Sequence, residues 1–346
     1  MSLEKNIEEI INYELEKPSC SIDLQSGLMG KALFFIWYYN ITNDIKYKKW
    51  SYDALDLIYK SINSTNVLRF KDGLLGIASA LTLSIHKGYL KGDIDNVCQD
   101  VDNLLYKAVS VHINKISSSS YANEYEDFFL DYMLYITFRL KVSLNNKDER
   151  DLYIRFLSLI FNKVYQSHNL SFYEEPIPAS CNYKLAKFYF LLSNMFELNI
   201  EVQRIAHILD EMKFRILYKI PYLEHNRLIL LITLKSLSAK NLLDTEWNCY
   251  ISQIEKQVNL DSIFAKLIED CNLYGEGGWV WLYAFVTYFN SQQELIEYSK
   301  ESLIQKLELS ISKMDYKFIV NTTSTKHCLD GNLGVVWAYY NLKFGK

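Results

Sequence analysis

The groups in this 346-residue chain that could do chemistry gather at one kind of position, the start of an apolar, aromatic-rich run. Glu276 and Asp330 are among the carboxylates that stand there. Paired carboxylates are the machinery of glycoside hydrolysis when their separation suits one of its two geometries. Backbone amides are the second resource. Nine of the twelve glycines fall in four G-x-x-G copies, Gly27-Leu28-Met29-Gly30, Gly73-Leu74-Leu75-Gly76, Gly275-Glu276-Gly277-Gly278 and Gly331-Asn332-Leu333-Gly334. Ser26, Asp72 and Asp330 precede three copies and suit the N-cap of a helix, while Tyr274 precedes the other.

Two glycines three residues apart share a helix face and let another backbone or a ligand come close. Suppose that several such ends converge on an axis. Then Gly27, Gly30, Asp72, Gly73, Gly76, Tyr274, Gly275, Glu276, Gly278, Asp330, Gly331 and Gly334 line a mouth whose free N–H groups could hold an anionic group. The plainer reading is that the glycines pack neighbouring helix ends together and that Asp330 is a cap.

Composition bounds the rest. The chain is 49% hydrophobic with a net charge of −4, so it can bury a large core and lacks the basic excess of a nucleic-acid binder. Its beginning is acidic and amphipathic, without an apolar signal core. No run approaches the ~18 apolar residues of a membrane span. The expectation is a cytoplasmic chain with no membrane span and no nucleic-acid partner. Its six cysteines are scattered without a C-x-x-C pair and are expected to be reduced thiols.

The elements that must position these groups read as helices. Amphipathic, charged segments fall near 2–16, 44–62, 94–116, 148–167, 197–218, 250–269 and 292–312. They alternate with apolar ones near 27–41, 73–87, 127–141, 182–195, 225–238, 275–290 and 331–343. Paired helices give this alternation when one lies outside and its partner lines the interior. Near-regular spacing of the apolar starts predicts seven helical hairpins in one domain over 1–346. The four prolines fall in or beside connections, and Ser117–Ser120 forms a polar loop. Trp37, Trp279, Trp281 and Trp337 read as core, as do most of the 27 tyrosines and 18 phenylalanines, with a subset free to grip an extended peptide. His86, His112, His168 and His207 are isolated and read as ordinary polar or interface residues.

The four glycine motifs, each opening an inner segment, resemble the repeats of the lanthionine synthetase C-like family. The resemblance spans nearly the whole chain and implies an all-α fold, an α/α toroid or double-layered helical barrel. Active members bind zinc and add peptide cysteine thiolates to dehydroalanine or dehydrobutyrine. They hold the metal by a Cys at the fifth inner helix and a Cys-His-Gly at the sixth, because zinc makes a thiolate at neutral pH. Here Leu273 and Tyr274 occupy the Cys and His positions, and the fifth helix opens Glu224-His225-Asn226-Arg227. The fourth opens Cys181-Asn182-Tyr183, without the usual His-Gly.

The resemblance therefore implies a divergent member, with no cofactor expected, that binds a precursor peptide or a peptide-modifying partner enzyme. A relocated zinc site would draw on His225, Cys271, His327 and Cys328, which the fold would bring near one mouth. Against it, neighbouring residues rarely both ligate in a good tetrahedron. The other alternative is a helical-barrel glycosidase using Glu276 and Asp330.

Overall fold

Apolar periodicity with few prolines and interior glycines yields helices, and no strand occurs among the described residues. The computed structural model describes residues 3–19, 21–25, 27–62, 67–116, 122–144, 146–167, 170–176, 183–260, 262–263, 300–313, 329 and 332–344. Thirteen α-helices lie among them. The first seven are α1 (Leu3–Glu16), α2 (Leu28–Thr42), α3 (Ile45–Ser61), α4 (Leu74–His86), α5 (Ile94–Ile116), α6 (Ala122–Val142) and α7 (Lys147–Ser167). The remainder are α8 (Lys184–Glu197), α9 (Val202–Ile216), α10 (Glu224–Ser238), α11 (Thr245–Glu255), α12 (Lys300–Lys313) and α13 (Asn332–Phe344). A short 3₁₀ turn covers Leu170–Tyr173.

Burial separates these helices into two sets. In α2 every residue from Met29 to Tyr38 is buried, in α4 every residue from Leu74 to Ala80, and in α10 every residue from Leu228 to Leu234. Helices α1 and α9 bury one stripe each, Ile7, Ile10, Ile11 and Glu14 in the first and Ile205, Ile208, Leu209, Met212 and Ile216 in the second. A helix apolar all round needs neighbours on every side, whereas a striped one needs a core on one side only.

The contacts follow this division. Helices α2, α4, α6, α8 and α10 pack each on the next, and each packs on the helix that follows it, α3, α5, α7, α9 and α11. Helix α13 packs on α12, α1 and α2, and α1 also packs on α12.

The return from an inner to an outer helix repeats one device. Asn43, Gly88, Leu144, Asn199 and Asn241, just after α2, α4, α6, α8 and α10, all have positive φ. Asn and Gly tolerate this left-handed turn best. Asp44 and Asp244 then cap α3 and α11 by accepting from first-turn amides. Helix α11 accordingly begins at Thr245, earlier than the periodicity near 250 predicts. Pro18, Pro176 and Pro221 lie in connections as expected. The segment 275–290 and Ser117–Ser120 lie outside the described residues.

Two buried charge networks tie helices together. Lys31 of α2 forms an ion pair of 3.2 Å with Glu14 of α1, both essentially inaccessible, and donates to the Glu14 and Lys17 carbonyls at 2.9 Å. Arg139 of α6 pairs with Asp95 and Asp102 of α5 at 3.0 Å each, and the Tyr135 hydroxyl donates to Asp102 at 2.6 Å. Beside them burial pushes the Cys98 thiol up, which keeps it protonated and unreactive. No helix among the described residues is long and apolar enough to cross a membrane.

Removing one partner of a buried ion pair leaves the other charge uncompensated. Lys31→Met should therefore lower unfolding stability by about 3–5 kcal/mol, and adding Glu14→Leu should recover most of the loss. Urea denaturation of the two variants beside the parent checks this.

Candidate functional site

Two of the helix starts that carry the glycines, those of α2 and α4, are built from one ten-residue unit, at 21–30 and again at 67–76. In the first copy the amides of Leu28, Met29 and Gly30 donate to the carbonyls of Ser21, Ile22 and Asp23, at 2.9, 3.4 and 3.4 Å. In the second copy Leu74 donates to the Val67 carbonyl at 2.9 Å and Gly76 to the Arg69 carbonyl at 3.4 Å. The loop thus doubles back and satisfies the first-turn donors that a helix otherwise leaves open.

That geometry explains the glycines. A Cβ on Gly30 would stand 2.2 Å from the Leu24 carbonyl oxygen, and one on Gly76 would stand 2.0 Å from that of Phe70. Gly27 and Gly73 are crowded in the same way by their own loops. Gly27 and Gly73 are themselves the N-caps of α2 and α4, with no side-chain cap bond. The expected cap Asp72 is instead exposed before Gly73, because loop carbonyls already hold those amides. Ser26 lies outside the described residues. At these two starts the close approach is by the chain's own backbone, and the amides named above are engaged.

Each such loop also reaches forward to the next inner helix. Leu24 lies against Gly76, whose Cβ would be 3.2 Å from the Leu24 Cβ. Beyond it, the Phe70 amide donates to the Asp131 carboxylate of α6 at 3.1 Å, and Arg69 Nε lies 3.4 Å from the same group. Glu175 accepts from the Tyr222 and Leu223 amides at 2.7 Å each and from Asn226 at 3.0 Å, at the start of α10. Leu329 reaches Gly30 in turn, with its Cγ 3.3 Å from where a Cβ would sit. Gly334 lies buried in the first turn of α13. Among the described residues these loops thus link the starts of α2, α4 and α10 and the body of α6 into stretches of a polar rim.

Asp131 is its hub. It is buried, and its carboxylate also accepts from Lys187 of α8. The Arg69 guanidinium lies 4.6 Å from the centre of the Phe128 ring, and Lys184 pairs with Asp127 at 3.9 Å. These residues belong to no glycine motif. The one signal for them in the sequence is an isolated Asp within the apolar run Phe128-Phe129-Leu130-Asp131-Tyr132.

His225 sits in the first turn of α10. Burial lowers its pKa, Glu175 and Glu224 oppose that shift, and Arg227 adds to it. Its Nε2 is buried and has no hydrogen-bond partner among the described residues. Tyr274, Gly275, Glu276, Gly278, Asp330, Gly331, Cys271, His327 and Cys328 lie outside the described residues. Among the described residues no three His, Cys, Asp or Glu side chains are grouped so as to hold a metal.

Of the other histidines, His168 lies outside the described residues, His86 is exposed, and two more have polar partners. His112 Nδ1 lies 3.1 Å from the Tyr132 hydroxyl, and exposed His207 lies 3.2 Å from Glu211. An open groove of about 730 Å³, lined in part by Tyr165, Arg204 and His207, lies at the start of α9, the end of the hairpin opposite the rim. Trp37 is buried 5.6 Å from Trp337, ring centre to ring centre. Compared with protein-family models and with curated proteins, the chain matches none.

Two outcomes follow from this geometry. Gly76→Ala should destabilise the fold by about 1–3 kcal/mol through overpacking. Gly92→Ala, whose Cβ would meet only ordinary contacts, should stay within about 0.5 kcal/mol. Equal melting temperatures for the two variants would refute the close-approach explanation.

The second outcome concerns pH. Because the folded-state pKa of His225 is depressed, its neutral form favours folding above the unfolded value near 6.5, and that contribution is lost as pH falls below it. His225→Gln should flatten the decline in unfolding free energy between about pH 7 and pH 5, measured by urea titration at each pH.

Proposed function

We propose that the chain is a divergent lanthionine synthetase C-like protein whose seven helical hairpins close into a double-layered α/α toroid. In this reading it acts in the cytoplasm in the making of a modified peptide. It binds a precursor peptide or a partner enzyme at the rim of inner-helix N-termini, without zinc-dependent ring closure. The observation that carries the reading is the succession of loops along the rim. Leu329 meets the first inner helix as Leu24 meets the second and as Arg69 and Phe70 meet the third. Such a succession fits hairpins arranged around an axis.

The residues at the matching positions do not fit the zinc centre that active members carry. Leu273 offers no donor atom, Tyr274 replaces an imidazole with a phenol, and the start of the fifth helix, Glu224-His225-Asn226-Arg227, has no cysteine. What the rim offers is recognition. Asp131 and Glu175 have their oxygens committed to protein donors, while Arg69 lays its cation on the Phe128 ring and remains one-third exposed. An aromatic and cationic rim of this kind suits a peptide carrying carboxylates and apolar side chains.

The test uses a synthetic peptide that contains one cysteine and one dehydroalanine. Thioether closure conserves mass but consumes the thiol, so maleimide labelling reports it. The expected result is measurable binding by calorimetry with the labelled thiol count unchanged and no stoichiometric zinc in the purified protein. About one zinc per chain, the content of a single catalytic site, or loss of the thiol would overturn the reading.

A further inference from the structure

At the corner where α9 turns into α10, three aromatic side chains stand in solvent. Phe214, Tyr218 and Tyr222 are 75%, 84% and 86% exposed. Phe214 lies in the last turn of α9, and Tyr218 follows in the turn just beyond the helix end at Ile216. Tyr222 immediately precedes the cap of α10, and its amide is fixed to the Glu175 carboxylate. The corner thus adjoins the rim. Single exposed apolar residues need no explanation, but several large ones gathered in nine residues mark a contact surface.

The charges beside them select what makes the contact. Arg215 and Lys219 are exposed between the rings, and neither has an ion-pair partner among the described residues. Lys213, two residues earlier, shows the contrast, since Asp210, Asp244 and Glu246 all surround it. Arg215 lies 5.6 Å from the centre of the half-buried Tyr173 ring, so its guanidinium is positioned without being neutralised. Glu175, beside the α10 start, is committed to the Tyr222 and Leu223 amides just before that helix.

We propose that Phe214, Arg215, Tyr218, Lys219 and Tyr222 form a docking ledge for an acidic peptide segment. Its carboxylates pair with Arg215 and Lys219, and its apolar side chains lie on the three rings. Tyr and Arg at the centre of a contact give binding energy at low entropic cost, and unpaired cations give it charge preference and salt sensitivity. The inference stands apart from the reading of the rim, which the thiol and zinc measurements decide.

The probe is a short fluorescein-labelled peptide alternating Glu with Phe, compared with its Lys-for-Glu counterpart by fluorescence anisotropy on the full chain. The acidic peptide should bind more tightly than the basic one and should weaken as salt rises. R215E with K219E, and separately Phe214→Ser with Tyr218→Ser, should each reduce affinity by about tenfold or more. Their melting temperatures should match the parent, because exposed positions carry little stability. If the α9 pair does not fold, Tyr222→Ser supplies the aromatic arm. Equal binding of the two peptides, or binding that survives the substitutions, would overturn the ledge. So would preferential binding to phosphatidylserine vesicles, or self-association in sedimentation that the same substitutions abolish.

Discussion

The inner row depends on a gap the size of one hydrogen atom. At Gly30 and Gly76 a loop carbonyl passes so near the first helical turn that a methyl group could not stand between them. The contact does two things at once. It satisfies amides that the helix start would otherwise leave open, and it pins the loop where its next residues reach the neighbouring helix. Widening that gap would disturb both the start of a helix and the junction between hairpins.

Charge is spent on structure before it is available for chemistry. Lys31 and Glu14 join α1 to α2, and Arg139 joins α6 to α5, all from within the core. On the rim Asp131 gathers donors from the loop before α4, from Arg69 and from α8. A carboxylate held in this way orders the segments that meet at it. The side chains with more freedom lie at the edge, at the aromatic corner of α9 and α10.

Much of the helical arrangement was legible because inner and outer helices differ in kind. Unbroken burial from Met29 to Tyr38 and a single stripe in α9 leave distinct patterns in the residues themselves. The left-handed turns at Asn43, Asn199 and Asn241 also announce themselves by residue type, whereas Leu144 does the same work with no such mark. The start of α11 was misplaced because Asp244, a polar residue beyond the periodic stretch, sets it. The reason for the glycines was half legible. Their spacing said that something must approach closely, but only the fold shows that the visitor is the chain itself. Asp131 could not be assigned a role, since its partners lie 61 and 56 residues away.

The seam at α1 bears on how this protein folds. Asn6 donates to the carbonyls of Ile311 and Ser312, more than 300 residues further on. Residues so far apart in the chain must find each other before Ile7, Ile10 and Ile11 gain the cover of α12 and α13. Contacts of such long sequence separation close slowly, and waiting apolar surface attracts other chains. Until this seam closes, the apolar stripe of α1 is the surface most open to misassociation, so its pairing guards the fold as well as completing it.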